Sequence, residues 1–144
     1  MSHVRPGRSR VRWFVDTSGF FASSNIRDPN HDSAQRVLAR AAADGVGLVT
    51  TVYIVAETQA LFLAKVGRDA GIRFLRRMEG GSVDIVRPTE ADETRARNII
   101  YRYADKSFSL ADAVSFAVME RLGIATAFTF DSDFRQYGFA VAEG

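Results

Sequence analysis

The sequence predicts an α/β fold in which a single parallel sheet of four to five strands is held between helices. Three observations carry that prediction. Short apolar runs of strand length alternate with segments of helical period from one end of the chain to the other. The connections are short, with no internal repeat, low-complexity block or long linker, so the elements belong to one domain. The chain has 144 residues, 47% hydrophobic and 25% charged, which is enough for a substantial core and ordinary for a globular protein.

Taken in order, the first strand is RWFV, Arg12 to Val15. It ends in Asp16-Thr17-Ser18-Gly19 and runs on into Phe20, Phe21 and Ala22, the pattern of a buried strand turning into a helix. Ligand sites in open parallel sheets form outside the carboxyl ends of strands, so Asp16 stands where chemistry is done. Asp, Thr and Ser are equally good helix caps, and the two readings balance. Asp28-Pro29-Asn30 then breaks the chain before HDSAQRVLARAAADG, a packing helix with Ala34, Val37, Leu38 and Ala41 at helical spacing and a stop at Gly45.

Residues 46–50, VGLVT, make the second strand, and Thr51 caps a helix whose apolar positions are Val52, Val55, Ala56, Leu61 and Phe62. Glu57 falls in its first turns. Most helical glutamates are solvated, but parallel strands would bring this one to the same sheet edge as Asp16. Gly67 separates this helix from DAGIRFLRRMEGG, where Ile72, Leu75 and Met78 repeat on one face. Lys65, Arg68, Arg73, Arg76 and Arg77 give the region a basic surface, suited to an RNA backbone although a solvated helix face is the commoner explanation.

SVDIV, residues 82–86, reads as the third strand, with Asp84 outward or at an edge. Pro88-Thr89-Glu90 opens a helix with Ala91, Thr94, Ala96, Ile99 and Ile100 as its stripe. The next helix starts at Ser109 and carries Leu110, Ala113, Val114, Ala117, Val118 and Leu122 before Gly123 stops it. Asp112 sits among those apolar residues, where a lone carboxylate is costly to bury without a partner. The strand ATAFTF follows, then Asp131-Ser132-Asp133-Phe134, and a final strand is expected around Gly138 to Ala142.

The charge is local. Arg5, Arg8, Arg10 and Arg12 all precede the first acid, which leaves the rest of the chain at −2 against +2 for the whole. Net charge therefore argues little about the folded body, despite a pI near 9.3. Residues 1–11 are expected to be a basic, disordered arm, and 12–144 the folded domain. No apolar run is long enough to span a bilayer and no secretory signal opens the chain, so the expectation is a cytoplasmic protein without membrane contact. With no cysteine, a metal would have to be held by oxygen or by His3 and His31, whose contexts suit it poorly.

Asp16, Glu57, Asp112 and Asp131 share a placement. Each follows a strand end or lies early in a helix that begins at one, so parallel strands would bring all four to one rim. Carboxylates packed that closely repel and raise one another's pKa unless a cation neutralises them. Oxygen ligands alone select Mg²⁺ or Mn²⁺ over zinc, and an ion so held suits phosphodiester hydrolysis. Ser18, Ser109 and Thr129 place hydroxyls beside three of the acids, either to orient carboxylates or to cap helices.

At these residues the sequence resembles the PIN-domain nucleases, and among them the VapC-like toxins of prokaryotic toxin–antitoxin pairs. The resemblance rests on VDTSGFF, VAET, FSLADAVSFAVMERLGI and AFTFDSDFRQYGF, in that order and at matching separations, over residues 12–143. It implies a three-layer α/β/α sandwich whose acidic pocket binds Mg²⁺ or Mn²⁺ and cuts RNA. By motif, Asp16 and Asp112 match the family's main metal-binding acids, Glu57 its middle acid and Asp131 its last, giving Asp16, Asp112 and Asp131 as metal ligands. Asp133 is an additional acid that would take or share the last role. The resemblance further implies a cognate antitoxin and a homodimer. The alternatives are a PIN-like RNA- or protein-binding module without nuclease activity, and, more remotely, a receiver or aspartyl-phosphate phosphatase. The last pair fits badly, because Ser18 stands where a phosphatase has its second acid and the lysines, Lys65 and Lys106, do not follow a late strand.

Overall fold

A computed structural model describes residues 11–143. All but the last residue of the expected basic arm lie outside the described residues. Five parallel strands form one sheet in the order β3-β2-β1-β4-β5. They are β1 (Arg12–Val15), β2 (Gly47–Thr51), β3 (Asp84–Val86), β4 (Thr126–Phe128) and β5 (Ala140–Val141). β1 is central, with Phe14 in register with Val49 on one side and Ala127 on the other. Its consecutive residues Trp13, Phe14 and Val15 are all buried, so both faces of the sheet are covered by helices, as parallel sheets require.

The helices are α1 (Thr17–Ser24), α2 (His31–Asp44), α3 (Val52–Lys65), α4 (Arg68–Glu79), α5 (Glu90–Arg102), α6 (Leu110–Leu122) and α7 (Asp133–Tyr137). Their ends follow the expected chemistry. Thr51 caps α3 by accepting from Ile54 N, and Gly45 and Gly123 end α2 and α6 in the left-handed conformation. α5 and α6 both open with a full capping box, Thr89 with Asp92 and Ser109 with Asp112.

The apolar stripes of α3 and α4 differ from the sequence expectation, and on α5 Ala91 and Thr94 of the expected stripe are exposed while Asp92, Ala96 and Ile99 are buried. On α3 the buried residues are Ile54, Thr58 and Phe62, not Val52, Val55 and Ala56. On α4 they are Ala70, Gly71, Phe74 and Met78, while Leu75 stays 40% exposed. The cause is aromatic packing between the helices: Phe62 lies 4.8 Å from Phe21 and 5.6 Å from Phe74, and Phe74 lies 5.4 Å from Phe20. These rings set the rotation of both helices.

α7 was not expected as a helix. Its five residues are too few to show a period, and it is held by one buried ring, Phe134, 6.0 Å from Phe14 and 5.0 Å from Phe116. Asp84 on β3 is exposed, as read from the sequence. An ion pair between the exposed Arg121 and the buried Asp92 ties α5 to α6, with Arg121 Nη2 donating to Asp92 Oδ2 at 2.8 Å. Among the described residues no helix is long and apolar enough to cross a membrane, and no buried side-chain polar atom lacks a hydrogen-bond partner.

Candidate active site

β1 and β4 are neighbours and parallel, so their carboxyl ends deliver Asp16 and Thr129 side by side. Thr129 Oγ1 donates to Asp16 Oδ2 at 2.9 Å, and Ser18 Oγ lies 3.2 Å from the same oxygen and 3.1 Å from Thr129 Oγ1. The two hydroxyls also accept from the loop after β4: Phe130 N donates to Ser18 at 2.8 Å and Asp131 N to Thr129 at 3.0 Å. Asp16 is almost fully buried, and burial pushes its carboxyl up to about 6, with the Thr129 hydrogen bond pulling the other way and the charges of Asp131 and Glu57 adding to the rise.

Asp112 reaches the same corner from the first turn of α6. Ser109 Oγ accepts from Asp112 N at 3.0 Å, and the Asp112 carboxylate accepts from Ser109 N at 3.4 Å. Ser109 is thus a helix cap that fixes the turn, whereas Ser18 and Thr129 bind a carboxylate directly. Asp112 is buried, and its carboxyl is pushed up to about 8 by desolvation, by a hydrogen bond with Asp133 and by the charges of Asp16, Asp133 and Asp131.

One carboxylate oxygen each from Asp112, Asp131 and Asp133 lies within 4.8 Å of the others. This trio shares Asp112 and Asp131 with the expected set of Asp16, Asp112 and Asp131 and adds Asp133, while Asp16 lies beside it with its Oδ2 turned to the two hydroxyls. Asp133 opens α7, and its N donates to Asp131 Oδ1 at 3.1 Å. Both Asp131 and Asp133, between which the sequence leaves the last acid open, lie in this group.

Glu57 is exposed on α3 and held from below. Thr17 Oγ1 donates to Glu57 Oε1 at 2.5 Å, and Thr58 Oγ1, fully buried, lies 3.2 Å from Thr17 Oγ1 while donating to Ile54 O at 2.7 Å. Neither threonine was singled out from the sequence. Thr17 adjoins Asp16 in the chain, but only the parallel pairing of β1 with β2 brings it against α3.

The basic cluster divides. Lys65, Arg68, Arg73 and Arg76 are exposed at the end of α3 and along α4. Arg77 is not available to a ligand in the same way: its Nη1 donates to Ser24 Oγ at 2.6 Å and its guanidinium stands 5.7 Å over the Phe20 ring. Burial there lowers its pKa. Lys65 and Arg73 border a groove of about 760 Å³ with Phe21, Ile26 and Phe62, and none of the five site acids lines it.

The donor set is all oxygen, clustered, and with two carboxyls pushed far above their usual range. That is the chemistry of a divalent-cation site, since a cation would restore both to the ionised form. The PIN domain family matches residues 13–140. The chain belongs to the PIN-domain family. Within that family it is 32% identical over 126 residues to the 23S rRNA-specific endonuclease VapC20 of Mycobacterium tuberculosis, covering 88% of this chain and 94% of that protein. It is 29% identical over 117 residues to the ribonuclease VapC26 of the same organism, covering 81% and 84%.

The crystal structure of VapC20, described as a toxin cleaving the sarcin–ricin loop, superposes with a TM-score of 0.85 at 30% identity, covering 91% of this chain and 98% of that one. The fold alone is also shared with the VapBC2 complex of Rickettsia felis bound to a promoter DNA fragment (TM-score 0.69, 12% identity, 91% and 97% covered).

Proposed function

We propose that this PIN-domain chain is a metal-dependent endoribonuclease acting as the toxin of a toxin–antitoxin pair. The observation that carries the reading is the convergence of Asp112, Asp131 and Asp133 within 4.8 Å, beside a buried Asp16. Asp16, Asp112 and Asp131 would hold Mg²⁺ or Mn²⁺, with Asp133 as the additional acid beside them. When bound, such an ion supplies Lewis acidity toward a phosphodiester and its attacking water. Glu57, oriented by Thr17, is placed to position or deprotonate that water. Ser18 and Thr129 hold the Asp16 carboxylate in one orientation, and Ser109 fixes the turn that presents Asp112.

The substrate proposed first is the sarcin–ricin region of 23S rRNA, on the strength of the likeness to VapC20. A cognate antitoxin, a homodimeric state and a cytoplasmic location are proposed with the toxin reading. The folded domain is taken as residues 12–144. Purified protein should cleave 23S rRNA in Mg²⁺ or Mn²⁺, lose activity in chelator, and lose at least about a hundredfold of its rate in Asp112→Asn or Asp16→Asn. Full activity in chelator would overturn the reading.

A further inference from the structure

A cavity of about 360 Å³ opens beside the acids, and Thr129 and Asp131 belong to both. Its other walls come from residues flanking Asp131 and Asp133 and from α2 and the end of the chain. Phe130 and Ser132 belong to the loop after β4, Arg135 to α7, Ser33 to the first turn of α2, and Glu143 to the segment after β5. Its volume suits one small polar ligand and is far too small for a duplex.

The composition of those walls is unlike that of the acid cluster. Around the scissile position Asp16, Glu57, Asp112, Asp131 and Asp133 repel a phosphodiester. Among the described residues lining the cavity, Arg135 is the cation. Its carboxylate partner is Glu143 Oε2 at 3.4 Å, and both side chains are more than half exposed, so the pair is weak and easily exchanged. Glu143 is placed there by its own backbone, whose carbonyl accepts from Arg40. A guanidinium offers a fork of donors to phosphate oxygens, which a carboxylate can only imitate. Ser33, Ser132 and Thr129 add hydroxyls. Phe130 adds an apolar wall.

We infer that this cavity is a subsite for one ribonucleotide flanking the scissile phosphate, with Arg135 as the contact to that nucleotide's phosphate and Glu143 as the carboxylate it displaces. The inference rests on the ribonuclease reading and deepens it: the acids cut, and this neighbouring cavity holds the adjoining nucleotide in place.

The test measures binding and cleavage separately. Binding of a fluorescent single-stranded RNA oligonucleotide of mixed sequence is followed by anisotropy across a salt series, using the full chain. Cleavage of 23S rRNA fragments in Mn²⁺ gives kcat and KM. Arg135→Ala should weaken RNA binding about five- to tenfold and raise KM in proportion while leaving kcat within about twofold. The slope of log affinity against log salt should fall by about 0.7, as expected for one lost phosphate contact to a single strand. Glu143→Gln should move the other way and tighten binding about two- to threefold by removing the competing carboxylate.

Unchanged affinity and salt slope in Arg135→Ala, with wild type cleaving RNA, would remove the subsite and leave the nuclease standing. A loss confined to kcat would also overturn it, because that would place Arg135 at the reacting atoms. Absence of cleavage by wild type would instead bring down the ribonuclease reading, and the subsite with it.

Discussion

Thr129 Oγ1 donates to Asp16 Oδ2 at 2.9 Å, a hydrogen bond that joins residues 113 apart in the chain at the ends of two adjacent strands. Thr129 Oγ1 in turn accepts from Asp131 N at 3.0 Å, so one hydroxyl holds the buried acid and the loop that carries the next one. Thr129→Val keeps the shape and removes both interactions. The lost hydrogen bond is one that lowers the Asp16 pKa, so the variant's carboxyl should rise further above about 6. The acidic limb of the kcat/KM profile should move to higher pH, with a rate loss of roughly tenfold at neutral pH and about 1–2 kcal/mol of stability lost. Thr129→Ser should restore the profile; an unmoved acidic limb in Thr129→Val would show that Asp16 does not depend on this bond.

Asp112 should destabilise the metal-free protein at neutral and higher pH. Its ordinary value of 3.8 rises to about 8 in the folded chain. Between those values the folded state holds more protons than the unfolded state, and stability falls as pH rises. Asp16 acts with the same sign between 3.8 and about 6. In chelator, Tm should drop from pH 5 to pH 8, and Asp112→Asn, which still offers an acceptor to Ser109 N, should flatten that drop and be more stable than wild type at pH 8 by roughly 1–2 kcal/mol. Millimolar Mn²⁺ should raise the wild-type Tm more than that of the variant. Equal melting of wild type and variant at pH 8 in chelator would contradict this account.

How much of this was legible in the sequence varies by residue. Alternating strand and helix signals are local, and they point to the sheet, the cap at Thr51 and the stops at Gly45 and Gly123. Asp16 and Asp112 were recognisable because each interrupts an apolar stretch. The stripes on α3 and α4 depart from their helical periods because their rotation is set by Phe20, Phe21, Phe62 and Phe74 meeting across three helices, which no single-helix period encodes. Asp133 was left undecided because α7 is too short to announce itself and is fixed by the burial of Phe134. Thr17 and Thr58 stayed hidden because their roles exist only once β1 and β2 are paired.

Gly19 is required for the absence of a side chain. A Cβ there would lie 2.6 Å from the Phe128 carbonyl oxygen, backbone that cannot swing aside. That carbonyl also accepts from Asp16 N at 3.1 Å. Gly19→Ala should therefore push α1 from β4 and separate Asp16 from Thr129, costing about 1–3 kcal/mol and more than tenfold in rate. Gly47→Ala is the matched control, since its Cβ would meet Arg12 carbon atoms no closer than 3.4 Å. Equal behaviour of the two variants in denaturant titrations and RNA cleavage would refute the close-approach argument.

The Asp92–Arg121 pair should carry stability without touching activity. Asp92 is buried, accepts from Arg121 Nε at 2.9 Å and Nη2 at 2.8 Å, and accepts from Thr89 N at 2.9 Å in the capping box of α5. The Arg121 hydrogen bonds hold its pKa below the ordinary 3.8. Stability from that shift is fully present above 3.8 and lost as pH falls through the lower folded value. Arg121→Ala strands a buried carboxylate and should cost about 1–3 kcal/mol at pH 7, while Asp92→Asn, which keeps the acceptor for Thr89, should cost less. Urea titrations at pH 7 and pH 3 should show the gap between wild type and Arg121→Ala shrinking in acid, because protonation of Asp92 removes the charge that Arg121 serves. A gap of the same size at both pH values would mean that Arg121 acts through its packing against α5, and that the ion pair contributes nothing measurable.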